Sequence, residues 1–123
     1  MLNDFQAPLK TYQSRFLVSR GEKIMSVLID QIAYFEGEDR YVYLIKRDGM
    51  KYIIDYKLSE LENLLDPKQF YRLNRSFIAH FLSIRNIFNI SKSRVKIELD
   101  PFNKREVIVS SENTQDFKAW LNQ

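Results

Sequence analysis

The sequence predicts a mostly β domain with two short helices. Short segments rich in aromatic and β-branched residues recur from residue 15 onward, which is typical of strands. Polar turns separate these segments, among them an Asp48-Gly49 pair of the kind found in tight hairpins. Apolar residues take helical spacing at only two places, after residue 57 and near the C-terminal end. These observations favour a β scaffold that carries two helices.

In the first half of the chain, strands alternate with turns. The predicted strands are Arg15–Ser19, Lys23–Ile29, Ile32–Glu36, Tyr41–Ile45 and Lys51–Asp55. A helix follows, because Leu58, Leu61 and Leu65 recur on one helical face. Ser59 and Glu62 have the spacing of a capping box at its start.

The second half is less regular. The segment Phe70–Ser76 is predicted to be a short extended piece, and Phe77–Leu82 at most a brief helical turn. Three strands follow at Ile84–Ile90, Arg94–Leu99 and Glu106–Val109. An amphipathic helix ends the chain, with Phe117, Trp120 and Leu121 on one face and Ser110 or Ser111 as N-cap. We interpret residues 1–14 as an N-terminal tail or interdomain linker and residues 15–123 as one domain.

Composition removes several classes of function. The chain has no cysteine, so disulfides, thiolate metal sites and thiol nucleophiles are excluded. The first ten residues lack the apolar core of a signal peptide, and no apolar run has the length of a membrane span. We therefore expect a cytoplasmic protein with no membrane association.

The charge is unevenly distributed. Residues 1–66 carry nine Lys/Arg and eleven Asp/Glu, whereas residues 67–123 carry ten and five. Between Pro67 and Ile97 there are seven basic residues and no acidic one. Such a stretch projects a positive field that suits nucleic acid, although a merely solvated basic face would have the same composition.

Side chains suited to catalysis or metal binding are sparse. His80 is the only histidine, and its neighbours Phe77, Phe81 and Ile84 favour a packing role. The serines cluster at turns and caps, where their hydroxyls have structural partners. We expect no enzyme activity, no metal site and no cofactor.

One segment combines apolar residues with base-reading side chains. In Phe70–Phe77, Arg72, Asn74 and Ser76 would share one face of an extended chain. Arg can fork onto guanine, Asn can pair with adenine, and Ser can hold a phosphate. The same pattern would arise if the arginines paired with acids and the aromatics filled the core. Single-stranded RNA is disfavoured, since no RNP-like signature is present.

An ordered set of motifs runs through the domain. These are Asp30-Gln31-Ile32-Ala33-Tyr34-Phe35-Glu36, Arg40-Tyr41-Val42, Asp48-Gly49, Leu58-Ser59-Glu60-Leu61-Glu62, Phe70-Tyr71-Arg72-Leu73-Asn74-Arg75-Ser76-Phe77-Ile78 and Val109-Ser110. With them, the chain from Phe16 to about Asn122 resembles the LytTR DNA-binding domain, the output domain of LytR/AlgR-type bacterial response regulators. The block around residues 70–78 is the most distinctive part of the resemblance.

The resemblance implies an elongated β fold of about ten strands in small sheets, with two or three short helices. Loops, and no recognition helix, would enter successive major grooves of duplex DNA. The predicted base contacts are Arg40, Asn74 and Arg75, and the predicted backbone contacts are Arg72, Ser76, Lys92, Arg94, Ser111 and Asn113. The family often has His at the position of Asn74, Asn at that of His80, and a basic residue where Ser111 and Glu112 stand here.

The resemblance also implies a larger assembly. Such domains usually follow a phosphorylatable receiver domain, so we expect a receiver on the N-terminal side in a full-length two-component regulator of transcription. We expect two copies of the domain to bind repeated half-sites as a dimer on DNA.

Two alternatives belong to other classes. A protein-interaction module would present Phe70, Phe77, Phe81 and Phe88 as an apolar patch beside the basic stretch. A small enzyme would need a cleft around His80 with a carboxylate or serine within reach.

Overall fold

The computed structural model describes residues 11–123, so most of the predicted tail or linker (residues 1–10) lies outside the described residues. The described chain forms ten strands and two α-helices. The strands are β1 Arg15–Arg20, β2 Lys23–Leu28, β3 Ile32–Glu38, β4 Tyr41–Lys46, β5 Lys51–Ile54, β6 Phe70–Arg72, β7 Phe77–His80, β8 Ile84–Ser91, β9 Arg94–Leu99 and β10 Val107–Val109. The helices are α1 Leu58–Leu64 and α2 Ser111–Leu121, and single 3-10 turns cover Ile29–Gln31 and Phe81–Ser83.

The strands form two antiparallel sheets. The larger has seven strands in the order β2-β1-β5-β4-β3-β7-β6, and the smaller has three in the order β10-β9-β8. The predicted mostly β class is therefore confirmed, and the ten strands agree with the number that the family resemblance implies. Neither helix in residues 11–123 has the length and apolar content needed to cross a bilayer.

Strand β3 contributes to two hydrophobic cores. A register shift between Ile32 and Tyr34 marks a β-bulge, which places two consecutive side chains on one side of the strand. Ile32 and Phe35 pack in the core beneath α1, whereas Ala33 and Tyr34 pack in the core shared with the smaller sheet and α2. Burial on both faces explains why the first four residues of this strand, 32–35, are all apolar or aromatic.

Strand β7 corrects the prediction of a helical turn at Phe77–Leu82. Residues 77–79 pair with β3 and residues 78–80 pair with β6, and all four residues of β7 are buried. Both faces are covered, so the segment lacks the alternation that identifies a half-buried strand. Only Phe81–Ser83 forms a helical turn.

The extended piece predicted over Phe70–Ser76 is also shorter than expected. Strand β6 ends at Arg72, and the chain then bends through residues 74–76 before β7 begins. The side chains at 72, 74 and 76 consequently do not share one strand face. The bend, which sequence alternation does not reveal, brings the backbone of Leu73 back to that of Phe77.

The ends of the elements also differ from expectation. Helix α1 begins one residue before Ser59, and its capping contact runs from the backbone N of Lys57 to Glu60 Oε1 at 2.8 Å. The expected Ser59–Glu62 capping box is therefore wrong.

In the predicted linker, Gln13 N donates to the carbonyl oxygen of Leu64 at 2.9 Å, which attaches the end of that segment to the domain.

Candidate nucleic-acid interface

The bend between β6 and β7 is a closed loop held by its own asparagine. Leu73 N donates to the Phe77 carbonyl at 2.9 Å, which closes the loop at its base. Asn74 Oδ1 accepts hydrogen bonds from the backbone N of Ser76 at 2.8 Å and of Phe77 at 3.1 Å. An asparagine that bonds its own backbone in this way stabilises a tight turn. Arg75 lies at the outside of the bend and is exposed.

Arg72 braces the same loop from within. Its Nε donates to the Asn74 carbonyl at 3.0 Å and its Nη2 to the Arg75 carbonyl at 3.0 Å. Its Nη1 lies 2.6 Å from Glu62 Oε2 on α1. The Arg72 side chain is only 27% exposed, so this guanidinium is fixed on three sides by the protein.

The loop is also tied to both sheets. Asn74 Nδ2 donates to the Ile108 carbonyl on β10 at 3.0 Å. On the other side, Gly37 N of β3 donates to the Ser76 carbonyl at 2.7 Å. The approach at Gly37 is close, because a Cβ there would lie 3.0 Å from Leu58 Cδ1. These bonds fix the position of Arg75 relative to the turn between β3 and β4.

That turn carries Arg40. Asp39 has a φ of +57°, and the exposed Arg40 follows it with its guanidinium carbon 5.8 Å from the centroid of the Tyr41 ring. No hydrogen bond or ion pair within residues 11–123 occupies the side chain of Arg40 or of Arg75. Both guanidinium groups therefore remain available to a ligand.

Arg40 and Arg75 line one open groove of about 730 Å³. Its cationic lining is Arg40, Lys57, Arg72, Arg75 and Arg105, and its carboxylates are Glu38 and Asp39. Ser76 also lines it and has a half-buried side chain. An open surface of this charge attracts a polyanion.

Arg105 is a member of this groove that sequence reasoning missed. Its Nη1 lies 2.8 Å from Glu36 Oε2 and 3.0 Å from the Gly37 carbonyl, and its guanidinium carbon lies 5.1 Å from the Phe77 ring centroid. The Glu36 side chain is only 2% exposed. A glutamate at the end of the apolar run of β3 could have signalled a cationic partner, because buried carboxylates need one.

The remaining predicted contacts lie at one end of the smaller sheet. Val109 of β10 pairs with Val95 of β9, so the start of α2 lies beside the β8–β9 turn. In that turn Lys92 is exposed with a φ of +40°, and Arg94 Nη2 lies 3.4 Å from Ser91 Oγ. The exposed Ser111 is the first residue of α2, whose N-cap is Ser110. Asn113 is exposed, and its Nδ2 donates to Ser110 Oγ at 3.2 Å.

His80 is a packing residue. It is 5% exposed, its Nδ1 accepts from Leu82 N at 3.0 Å, and its ring stacks on Phe81 with centroids 4.5 Å apart. Burial, followed by the positive charge of Arg47, lowers the pKa of His80 to about 4, and Asp30 opposes this shift. Within residues 11–123 no group of three or more His, Cys, Asp or Glu side chains could hold a metal.

The apolar patch of the interaction-module alternative does not form as predicted. Phe70 and Phe77 are core residues with 5% and 1% exposure. Phe81 and Phe88 are exposed, but they belong to separate elements, the 3-10 turn after β7 and strand β8. The four phenylalanines therefore cannot present one surface.

Comparison with known proteins gives consistent results. A response regulatory protein of Vibrio cholerae serotype O1 that is itself uncharacterized is 25% identical over 107 residues, covering 81% of this chain and 41% of that protein. A heme-containing CO-sensing transcriptional regulator of Paraburkholderia xenovorans is 26% identical over 104 residues, covering 85% of this chain and 38% of that protein. The chain thus spans about two fifths of the length of these relatives.

The fold is similar to that of a solved domain. The LytTr DNA-binding domain of a Bacillus cereus protein, described as a methyl-accepting/DNA response regulator, superposes with a TM-score of 0.77 at 24% identity. The match covers 90% of this chain and 99% of that domain. The sequence profile of the LytTr DNA-binding domain matches residues 22–122. The chain therefore belongs to the LytTR DNA-binding domain family.

Proposed function

We propose that this domain binds duplex DNA in a sequence-specific manner and serves as the output domain of a bacterial response regulator that controls transcription. The observation that carries the proposal is the shared groove of Arg40 and Arg75, two exposed arginines whose side chains make no hydrogen bond or ion pair within residues 11–123. A free guanidinium on an ordered loop can donate two hydrogen bonds to the O6 and N7 atoms of guanine in the major groove.

The groove and the end of the smaller sheet have different roles in this proposal. Arg40 and Arg75 read base edges, because they are exposed, cationic and held by braced turns. The proposed phosphate contacts are Ser76, Lys92, Arg94, Ser111 and Asn113. Phosphate contacts position a protein on the duplex, whereas base contacts select the sequence.

Arg72 and Asn74 take a different role from the one expected from the sequence. The Asn74 amide already makes three hydrogen bonds within the protein, and the Arg72 guanidinium also makes three. We propose that both are positioning residues that hold the Arg75 loop. Breaking these bonds to reach DNA would leave backbone groups of the bend without partners, which is costly.

The relatives support the wider biological context. One is described as a response regulatory protein and another as a transcriptional regulator. A receiver domain on the N-terminal side, a cytoplasmic location, and two copies acting on repeated half-sites follow from the family resemblance. The domain has two groups of proposed contacts, one in the groove and one at the β8–β9 turn. We propose that a single duplex is long enough to contact both.

Selection of bound duplexes from a random pool, at two salt concentrations, tests the proposal. We expect enrichment of a repeated short sequence at both concentrations. Affinity should fall steeply between them, because cations on the protein release counterions from phosphates. A pool that stays random at both concentrations would contradict sequence specificity, and retention of no duplex would contradict DNA binding itself.

A further inference from the structure

We infer that Arg105 is an additional DNA-contacting residue, one that holds a backbone phosphate at the groove of Arg40 and Arg75. The inference rests on the proposed function and adds a contact that neither charge patterning nor the family motifs point to. Arg105 lies outside the cation-only stretch of residues 67–97 and outside the motif block around residues 70–78.

The guanidinium of Arg105 is only partly occupied. Glu36 Oε2 and the Gly37 carbonyl both accept from the same nitrogen, Nη1. Within residues 11–123, Nη2 and Nε make no hydrogen bond. The side chain is 33% exposed and lines the groove. The Nη1 atom of Arg105 is thus held by the protein, while the N–H groups of Nη2 and Nε remain free to bind a ligand.

The fixed edge makes Arg105 a well-ordered cation. Its guanidinium is held by Glu36, and its guanidinium carbon lies 5.1 Å from the Phe77 ring centroid. A phosphate that binds an arginine already held in place costs less side-chain entropy than one that immobilises a free arginine.

The local charge remains favourable despite the ion pair. Glu36 also has Lys51 Nζ at 3.5 Å, so this carboxylate is shared by two cations. Asn103 Nδ2 donates to its other oxygen, Oε1, at 2.9 Å. Lys51 Nζ also lies 3.9 Å from Glu38 Oε1, so the cluster of Glu36, Glu38, Lys51 and Arg105 is neutral. The groove lining as a whole has five cationic side chains against the carboxylates of Glu38 and Asp39, so a phosphate oxygen there meets an excess of positive charge.

The test measures the dependence of affinity on salt for Arg105→Gln in the full chain, with a duplex enriched by the wild type and a scrambled duplex of equal length. The slope of log K against log salt is negative, and loss of one phosphate contact should reduce its magnitude by about 0.9. Affinity at low salt should fall about tenfold, equally for the two duplexes, because a phosphate carries no base identity.

Lys104→Gln is the matched control. Lys104 is the neighbouring residue and is exposed, but it does not line the groove. The substitution Lys104→Gln removes the same charge as Arg105→Gln, and it should leave the salt slope unchanged. An equal change in the two variants would indicate only a general effect of net charge and would overturn the inference, as would a wild-type slope in Arg105→Gln.

A second variant separates binding from folding. Arg105→Gln leaves the buried Glu36 with one cation fewer, which can destabilise the domain. The double variant Glu36→Gln, Arg105→Gln removes the buried carboxylate together with its cation. It should show the same reduced slope and keep a cooperative thermal transition. A wild-type slope in the folded double variant would reject the inference. If the wild type itself binds neither duplex, the proposed function fails and the inference fails with it.

Discussion

The side-chain amide of Asn74 donates a hydrogen bond from Nδ2 to the backbone carbonyl of Ile108 at 3.0 Å, which joins the loop of Arg75 to the outer strand of the smaller sheet. The same side chain accepts two backbone hydrogen bonds within its own loop. One amide thus organises a turn and attaches it to a second sheet. This gives Asn74 a structural role in an interface where base reading was expected.

Replacing Asn74 by alanine should therefore reduce stability. The substitution removes the partners of two backbone N–H groups and one carbonyl, so we expect the free energy of unfolding to fall by about 1–3 kcal/mol in chemical denaturation. Asn89→Ala is the control, since Asn89 is exposed and its side chain makes no hydrogen bond within residues 11–123. If stability is unchanged in Asn74→Ala while preference is lost at a single base, Asn74 reads that base directly.

Lys92 allows the turn and the phosphate contact to be tested separately. Lys92 and Ser93 have φ values of +40° and +68°, a conformation in which glycine is favoured. Lys92→Gly removes a side chain from a positive-φ position but makes the unfolded chain more flexible. The two effects oppose each other, so we expect the free energy of unfolding to change by less than about 1 kcal/mol. The DNA affinity of Lys92→Gly should fall equally for all duplexes, and the magnitude of its salt slope should be smaller by about 0.9.

Ser93→Gly is the control for Lys92→Gly. Ser93→Gly changes the neighbouring positive-φ residue and removes no charge, so its salt slope should equal that of the wild type. Gel-shift titrations at several salt concentrations measure both. A wild-type slope in Lys92→Gly would remove Lys92 from the proposed phosphate contacts.

The buried His80 should make stability depend on pH. Burial and Arg47 lower its pKa to about 4 in the folded chain, whereas the unfolded chain has the ordinary value of 6.5. Between these values the unfolded chain binds a proton that the folded chain does not, so the free energy of unfolding decreases as pH falls. We expect a loss on the order of 1–3 kcal/mol between pH 7 and pH 4.5.

His80→Asn is the control for this pH dependence. The Oδ1 atom of asparagine is placed like the Nδ1 atom of histidine, so it can still accept from Leu82 N, but it does not titrate. Carboxylates titrate in both proteins, so the quantity compared is the difference between the two pH profiles. Parallel profiles for the wild type and His80→Asn would show that His80 does not cause the loss.

Much of the fold could be predicted from local pattern, and the exceptions share a cause. Strands such as β1 and β9, which are covered on one face, alternate in sequence, and their predicted bounds agree with the structure to within one residue. Strand β7 is covered on both faces, so its residues Phe77–His80 carry no alternation and their sequence does not identify them as a strand. The bend at Asn74 depends on side-chain bonds to its own backbone, which period-based reasoning does not represent.

For the candidate site, the sequence indicated the exposed arginines but not the residues that hold the loops in place. Residue type and motif position indicated Arg40 and Arg75, which line one groove. They could not distinguish Arg75 from Arg72, because both are arginines of one short block. The difference lies in Glu62 and in two carbonyls that only the folded chain brings to Arg72. Arg105 was missed because its partner Glu36 is distant in sequence.

The central claim is tested most directly by the affinity of Arg75→Ala for the enriched duplex and for its single-base variants. A bidentate arginine–guanine contact contributes about 1–3 kcal/mol of discrimination. We therefore predict that Arg75→Ala loses that discrimination at one position of each half-site and keeps it at the others, with an unchanged thermal transition. Wild-type affinity and wild-type preference at every position would contradict the account.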